Sequence, residues 1–458
     1  MRNISLFALI LTVILYGCRK DERITVDPNN RLDFSADSIL FDTVFTSLGS
    51  VTKRVKILNR NNSALNISEI MLAGGNSSSF SININGENAN STKEVVVNAG
   101  DSINVFVKVT INPNEKNLPF AVQDSILFTT NGNRQRVHLM AYGQNAIFIK
   151  ESSISSNTLW SSKLPYVITG QLTIKDKSTL TISPGAKLYF HNNASLNVEG
   201  VLVANGTVDH PLLFCSDRLE SVYAEEPGQW KGIFIKRTGS GLIRYATIKN
   251  ASVGITSDSL SLSVKPKLIL SNTIIKNMQV AGYIGYHSEL IAFNNLFYNC
   301  GNYLVYAIGG GIFNLKQNTF AGYNFDFPRK TAALSFSDYL STKAYNTLNL
   351  NLTNNIIFGQ LSNELDIQKK TNAVIQSSIL NNLIKTTSVN YSNNGNLINV
   401  DPLFISSITE NFELTNTSPA LANGYNLSTD PYFTDYLNAD IKNTLRIFPS
   451  TLGCFEKN

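Results

Sequence analysis

The sequence predicts an all-β chain in two parts, a two-layer β-sandwich over residues 32–145 followed by a parallel β-solenoid over 146–458. Three observations carry that prediction. Asn, Ser and Thr are abundant beside 18 Tyr and 25 Phe, a composition that favours strands and turns over helices. From Leu32 to Gly143 long runs alternate apolar and polar residues. After Ala146 the runs shrink to three to five residues with barely a tight turn between them.

The 458 residues, 43% hydrophobic, are enough for more than one core, and the chain does not read as disordered. Only 16% of residues are charged and the net charge is +5, with no concentrated basic face, so a nucleic-acid partner is excluded.

Residues 1–17 read as a signal peptide, with Arg2 as the positive start and "LFALILTVILY" as an apolar stretch too short to span a bilayer comfortably. Leu15-Tyr16-Gly17-Cys18 resembles a bacterial lipobox, although Tyr16 is bulkier than the usual residue. The resemblance implies lipidation of Cys18 and membrane attachment through the acyl chains. Residues 18–31 follow as a polar tether. Lys20-Asp21-Glu22 is similar to the signal that sends Bacteroidota lipoproteins to the outer face of the outer membrane, which implies a protein facing the cell exterior. Cys215, Cys300 and Cys454 are an odd, scattered set at the ends of apolar runs, suited to burial and to neither a disulfide framework nor a zinc site.

In the first part, "DSINVFVKVTI" places Ile103, Val105, Val107 and Val109 on one face, and "RQRVHLMAYG" follows the turn "TTNGN". One apolar face per strand requires a second sheet to cover it. The order of these strands resembles immunoglobulin-like domains of the hydin and spindle-protein type, which implies a spacer with no catalytic residues. His138 lies alone on the last strand and is given no role.

In the second part, strands this short cannot pair throughout as hairpins, so each must pair with its counterpart one coil above or below. Leu172 and Ile174, Leu180 and Ile182, Leu188 and Phe190, and Leu196 and Val198 then fill one inner column. A period appears where Asn272, Asn295 and Asn318 recur at steps of 23, followed by Asn355 and Asn382 at steps of 37 and 27. The step of 37 implies an insertion of 14, placed in "DFPRKTAALSFSDYL". Asn suits such turn positions because it tolerates left-handed backbone and its amide bonds from rung to rung.

"LTISPGAKLYFHNNASLNVEGVLVANGTVDHPLLFCS", with "QWKGIFI" and "IRYATIKNASVGI", resembles the right-handed parallel β-helix proteins of the pectate-lyase-like superfamily. The Gly206-Thr207 to Pro211 turn and the closing "DIKNTLRIFPSTLGCFE", similar to that group's terminal strand, belong to the same resemblance. It implies a right-handed coil and carries no particular activity, because the superfamily holds lyases, hydrolases, epimerases and members without chemistry.

A lyase of this kind needs a calcium-binding cluster of acids and a basic residue, and a hydrolase needs carboxylates about 5–10 Å apart. The acids after Ala146 show no recurrence at the coil period, so no catalytic or metal-ligating residues are assigned. Tyr283, Tyr286 and His287 in "AGYIGYHSEL" are the candidate ligand-binding residues, as aromatic and polar groups of the kind that line sugar sites. The sequence thus points to a lipid-anchored outer-membrane protein whose solenoid binds extended polysaccharide or acts as an adhesin, without catalysis and without a cofactor. Two readings stay open beside it: a polysaccharide lyase or glycoside hydrolase, with calcium if a lyase, and a structural envelope component.

Overall fold

A computed structural model describes residues 23–113, 119–324, 328–341 and 344–457. The predicted signal peptide and Cys18 lie outside them. The chain forms two compact units that divide between Asn145 and Ala146.

The first unit is a two-sheet sandwich. One sheet contains Ser38–Phe45, Ala64–Leu72, Ser91–Val97, Phe120–Thr130 and Asn133–Gln144, and the other Lys53–Leu58, Phe80–Ile84 and Ser102–Val109. Their inward residues, among them Val55, Ile57, Ile67, Val105, Val107, Phe128 and Val137, form one core. Ser38–Phe45 runs parallel to 138–144, so the first long strand closes the sheet beside the last. The expected tether is partly structured: Ile24–Thr25 pairs with Ala64 and Leu65, and Asn131 and Asn133 donate amide hydrogen bonds to the carbonyls of Asp27, Pro28 and Asn30. The physical reason is local, since Ile24 and Thr25 are strand formers and reach an unpaired edge.

The second unit is a parallel β-helix. Its 25 strands form one ladder of parallel pairings that folds into three sheets. The first sheet runs from 147–150 through 166–169, 187–190 and 212–216 up to 397–398, the second from 152–154 up to 365–368, and the third from 158–160 up to 375–380. The inner column of the second sheet reads Leu172, Leu196, Ile233, Ile255, Tyr283, Val305, Leu334 and Leu365 in register, one per coil. All eight predicted core residues of the opening coils are buried in it or in its neighbours. Aromatic stacks of Trp160 on Tyr166 (4.2 Å) and Phe190 on Trp230 (4.1 Å) fill the early corners, with the Trp230 indole donating to the Lys249 carbonyl at 2.9 Å.

The asparagine turn between the third and first sheets divides its labour between two residues. Asn295, Asn318, Asn355 and Asn382 point inward and form a ladder in which each backbone N–H and side-chain amide donates to the Oδ1 of the next, ending on Asn396. The left-handed backbone belongs to the residue before each, namely Asn294, Gln317, Asn354 and Asn381, with φ between 49° and 58°. Asn272 (φ 49°) belongs to this second set and not to the ladder. Thr273 takes the ladder position there, and its backbone N–H donates to Asn295 Oδ1. The expected single role for Asn272, Asn295, Asn318, Asn355 and Asn382 is corrected accordingly, because a residue that turns the chain aims its side chain outward and one that bonds along the axis must aim inward.

Two further expectations change. The segment assigned to the insertion contains a regular rung, Leu334–Ser337, in register with Val305. The surplus residues divide between the stretch before this rung and a small hairpin, Tyr339–Ser341 with Ala344–Tyr345, after it. The closing segment is also no terminal strand. Residues 423–454 return along the outside of the β-helix and satisfy the outward turn residues: Asn381 bonds the Asn423 carbonyl, Asn354 that of Tyr425, Gln317 the Ser450 hydroxyl, Asn294 the carbonyls of Tyr436 and Ala439, and Asn272 that of Asp440. Leu427 and Leu437 cover Ile291 and Phe293, while Ile441 and Cys454 cover Leu296 and Tyr298. Cys215, Cys300 and Cys454 are all buried, unpaired thiols.

Candidate functional site

The outer column of the second sheet reads Thr173, Asn197, Phe234, Thr256, Ile284, Tyr306, Ser335 and Asp366, one residue per coil. Tyr306 stacks on Tyr303 with ring centres 4.3 Å apart and planes within 10°. Tyr286 belongs to the same face, in register with Asp258 below and Ile308 above, and is 38% exposed. Burial raises the Tyr306 hydroxyl above its ordinary value, and the neighbouring Tyr303 and Tyr286 add to the rise. Three tyrosines thus form an aromatic platform in the middle of this face. Rings held on a rigid sheet offer flat apolar area and a hydroxyl at little entropic cost.

Of the three candidate residues, the structure brings Tyr286 and His287 to one corner and sends Tyr283 elsewhere. Tyr283 is 0% exposed and occupies the inner column, because positions 283 and 285 face inward and 284 and 286 face outward. Its hydroxyl, pushed up to about 12 by burial, points at the Ser257 and Ser288 hydroxyls, which lie 2.7 Å from each other. His287 sits at the corner with φ 46°, its Nδ1 3.1 Å from the Gly309 carbonyl. Tyr303 and Tyr306 escaped the sequence reading. The signal that finds them is the step of 22 from Ile284 to Tyr306, which places them one coil above Tyr286.

Beside this corner Lys267 is 0% exposed, its Nζ donating to the carbonyls of Lys236 (2.6 Å) and Arg237 (2.7 Å), while Glu289 accepts from its backbone N–H. Burial lowers the amine to about 8 although Asp258 and Glu289 oppose it. Between pH 8 and 10.5 the unfolded chain therefore holds a proton here that the folded chain has released, so the contribution of Lys267 to stability rises with pH across that window. The expected result is that wild type gains stability relative to Lys267→Met between neutral pH and about pH 9.5, read by urea unfolding of both proteins; parallel pH profiles contradict it.

Many acids of the β-helix are held by structural partners. Asp217 lies 2.7 Å from His191, and Arg218, the next residue, pairs with Glu220 at 3.2 Å. Burial pushes Glu225 up, but Lys276 at 2.7 Å and Lys249 at 3.1 Å outweigh it and hold the carboxyl below its ordinary value. Glu364 faces Arg329, Glu456 faces Arg446, Asp430 faces Lys316, and Asp338 accepts from the backbone of Lys370 and Thr371. Asp366 bonds Gln368. On the tyrosine face Asp258 and Asp366 are separated by four rungs, about 19 Å at 4.8 Å each, twice the span of a glycosidase pair. No group of three or more His, Cys, Asp or Glu suited to a metal ion occurs among the described residues.

No family model matches the chain, and no curated protein matches it. Solved structures similar in part include XylC in complex with xylose, at 8% identity and a TM-score of 0.37 over 91% of this chain and 88% of that one. A family 123 glycoside hydrolase from Clostridium perfringens aligns at 9% identity and a TM-score of 0.19, over 26% of this chain and less than a third (30%) of that enzyme. The PapD-like domain 7 of human CEP192 aligns at 10% identity and a TM-score of 0.18, over 29% of this chain and 94% of that domain. At these identities and scores the likenesses assign no activity, and the parallel β-helix rests on the strand pairings of the chain itself.

Proposed function

We propose that this chain is a lipid-anchored cell-envelope protein that binds extended polysaccharide on the second sheet of its β-helix without cleaving it. The observation that carries the reading is the Tyr286, Tyr303 and Tyr306 platform on a rigid parallel face whose carboxylates are far apart or already paired. Attachment through Cys18 and placement on the outer face of the outer membrane complete the proposal, and they rest on the sequence motifs.

The test incubates residues 19–458, with calcium, against plant, algal and host polysaccharides, following retention on the polymer and release of shorter or unsaturated products. Retention without release is expected, and Tyr303→Ala/Tyr306→Ala should weaken it about 30-fold, the equivalent of about 2 kcal/mol for two contact rings. Release of products overturns the non-catalytic reading; retention unchanged in the double variant removes the platform. For the anchor, the full chain labelled with a palmitate analogue should lose its label in Cys18→Ser.

A further inference from the structure

We propose that the outer face of the third sheet is a second carbohydrate site, selective for uncharged chains. It is a shallow groove of about 410 Å³ near the far end of the β-helix, and its outward side chains are Ile312, Asn314, Asn349, Asn351, Gln376 and Ser378. They stand in two columns along the helix axis, Ile312, Asn349 and Gln376 in one and Asn314, Asn351 and Ser378 in the other. Adjacent rungs are about 4.8 Å apart, so each column repeats at close to the length of one pyranose unit.

Three features separate this groove from an ordinary solvated face. The lower part of the second column, Ile269 and Ile291, is apolar and covered by the returning segment around Leu427 and Leu437; where the cover ends the column turns to amides. A surface required only to stay soluble carries mixed charges, yet the groove lining contains no Lys, Arg, Asp or Glu. The amides also have unused bonding capacity. Asn314 Oδ1 is buried without a partner, and among the described residues Asn349 and Gln376 make no side-chain hydrogen bond. Only Asn351 is engaged, accepting from the Thr353 hydroxyl at 2.8 Å.

Neutral donors and acceptors with vacant capacity, set at a fixed repeat beside the apolar Ile312, match the alternating hydroxyls and C–H faces of an uncharged sugar chain. A polyuronate would bring carboxylates with no cation in the lining to receive them. One rung below Ile312 stands Glu289, which adds like-charge repulsion against such a polymer. None of these residues belongs to the tyrosine platform, so the two sites fail independently.

The experiment titrates residues 19–458 with cellohexaose, mannohexaose and hexagalacturonate by calorimetry, in wild type, Asn349→Ala/Gln376→Ala and Tyr303→Ala/Tyr306→Ala. The expected result is binding of a neutral hexasaccharide that the amide double variant weakens about tenfold and that survives in the tyrosine double variant, with no binding of hexagalacturonate at this groove. Circular dichroism and the thermal midpoint of the amide variant establish that it is folded. Binding that the amide variant leaves unchanged, or no neutral binding in the tyrosine variant, overturns the proposal while leaving the platform standing; loss in the tyrosine variant alone identifies the platform as the site. Hexagalacturonate binding that the amide variant abolishes overturns the selectivity.

Discussion

Replacing Glu364 with alanine is expected to destabilise the β-helix unit by about 3–5 kcal/mol, the cost of leaving a buried charge without its partner. Both Glu364 oxygens accept from Arg329 Nη2, at 2.8 and 2.7 Å, and further bonds come from the backbone of Leu361 and Ala333. Arg329 also donates to the carbonyls of Gly322 and Thr331. The two side chains are 1% and 0% exposed, so water cannot replace a missing partner. The pair fastens the chain that leaves the first sheet at Gly322 to the second-sheet rung that begins at Leu334. The unfolding transition can be followed on this unit alone, because the only two tryptophans of the chain, Trp160 and Trp230, both lie in it. Arg329→Met/Glu364→Leu should recover part of the loss, since it removes the unpaired charge but leaves the Gly322 and Thr331 carbonyls and the Leu361 and Ala333 N–H groups without these side-chain partners. Equal urea midpoints for wild type and Glu364→Ala contradict the assignment.

Asn355→Ala should cost about 3 kcal/mol or more, and Asn354→Gly, one residue earlier, about 1–2 kcal/mol. Asn355 accepts the backbone and side-chain N–H groups of Asn318, and donates to the Leu315 carbonyl (2.8 Å) and to Asn382 Oδ1 (2.9 Å). Alanine removes all four of these bonds inside the coil and leaves the Asn318 backbone N–H without its acceptor. Asn354 instead accepts from the Tyr425 backbone at 2.7 Å and donates to its carbonyl at 2.9 Å, outside the coil but covered by the returning segment. Glycine tolerates its φ of 58° and loses only that outer contact. Urea unfolding of both variants orders them; a greater loss at Asn354 would reverse the roles assigned to the two residues.

The architecture was legible because short apolar runs admit one economical pairing, and the inner column from Leu172 to Val198 follows from alternation alone. The register of the asparagine turn was not. Asn-Asn pairs at 294–295, 354–355 and 381–382 hide which member carries which task, and at Asn272-Thr273 an alignment on Asn slips by one position. The tyrosine platform was half legible. Which of Tyr283 and Tyr286 faces outward depends on the phase of the strand Ala281–Phe293, and the interruption at His287 changes that phase for the residues after it. The returning segment was hidden because its partners are outward amides 42 to 168 residues away, and no local pattern encodes contacts at such separation.

That return carries a consequence for the order of assembly. Coils can wind one upon another in chain order, since each needs only its predecessor. The outward amides of Asn272, Asn294, Gln317, Asn354 and Asn381 wait meanwhile for partners between residues 423 and 450. The solenoid is therefore wound first and fastened afterwards: the middle coils reach their final stability only once residues 423–450 have folded back onto them.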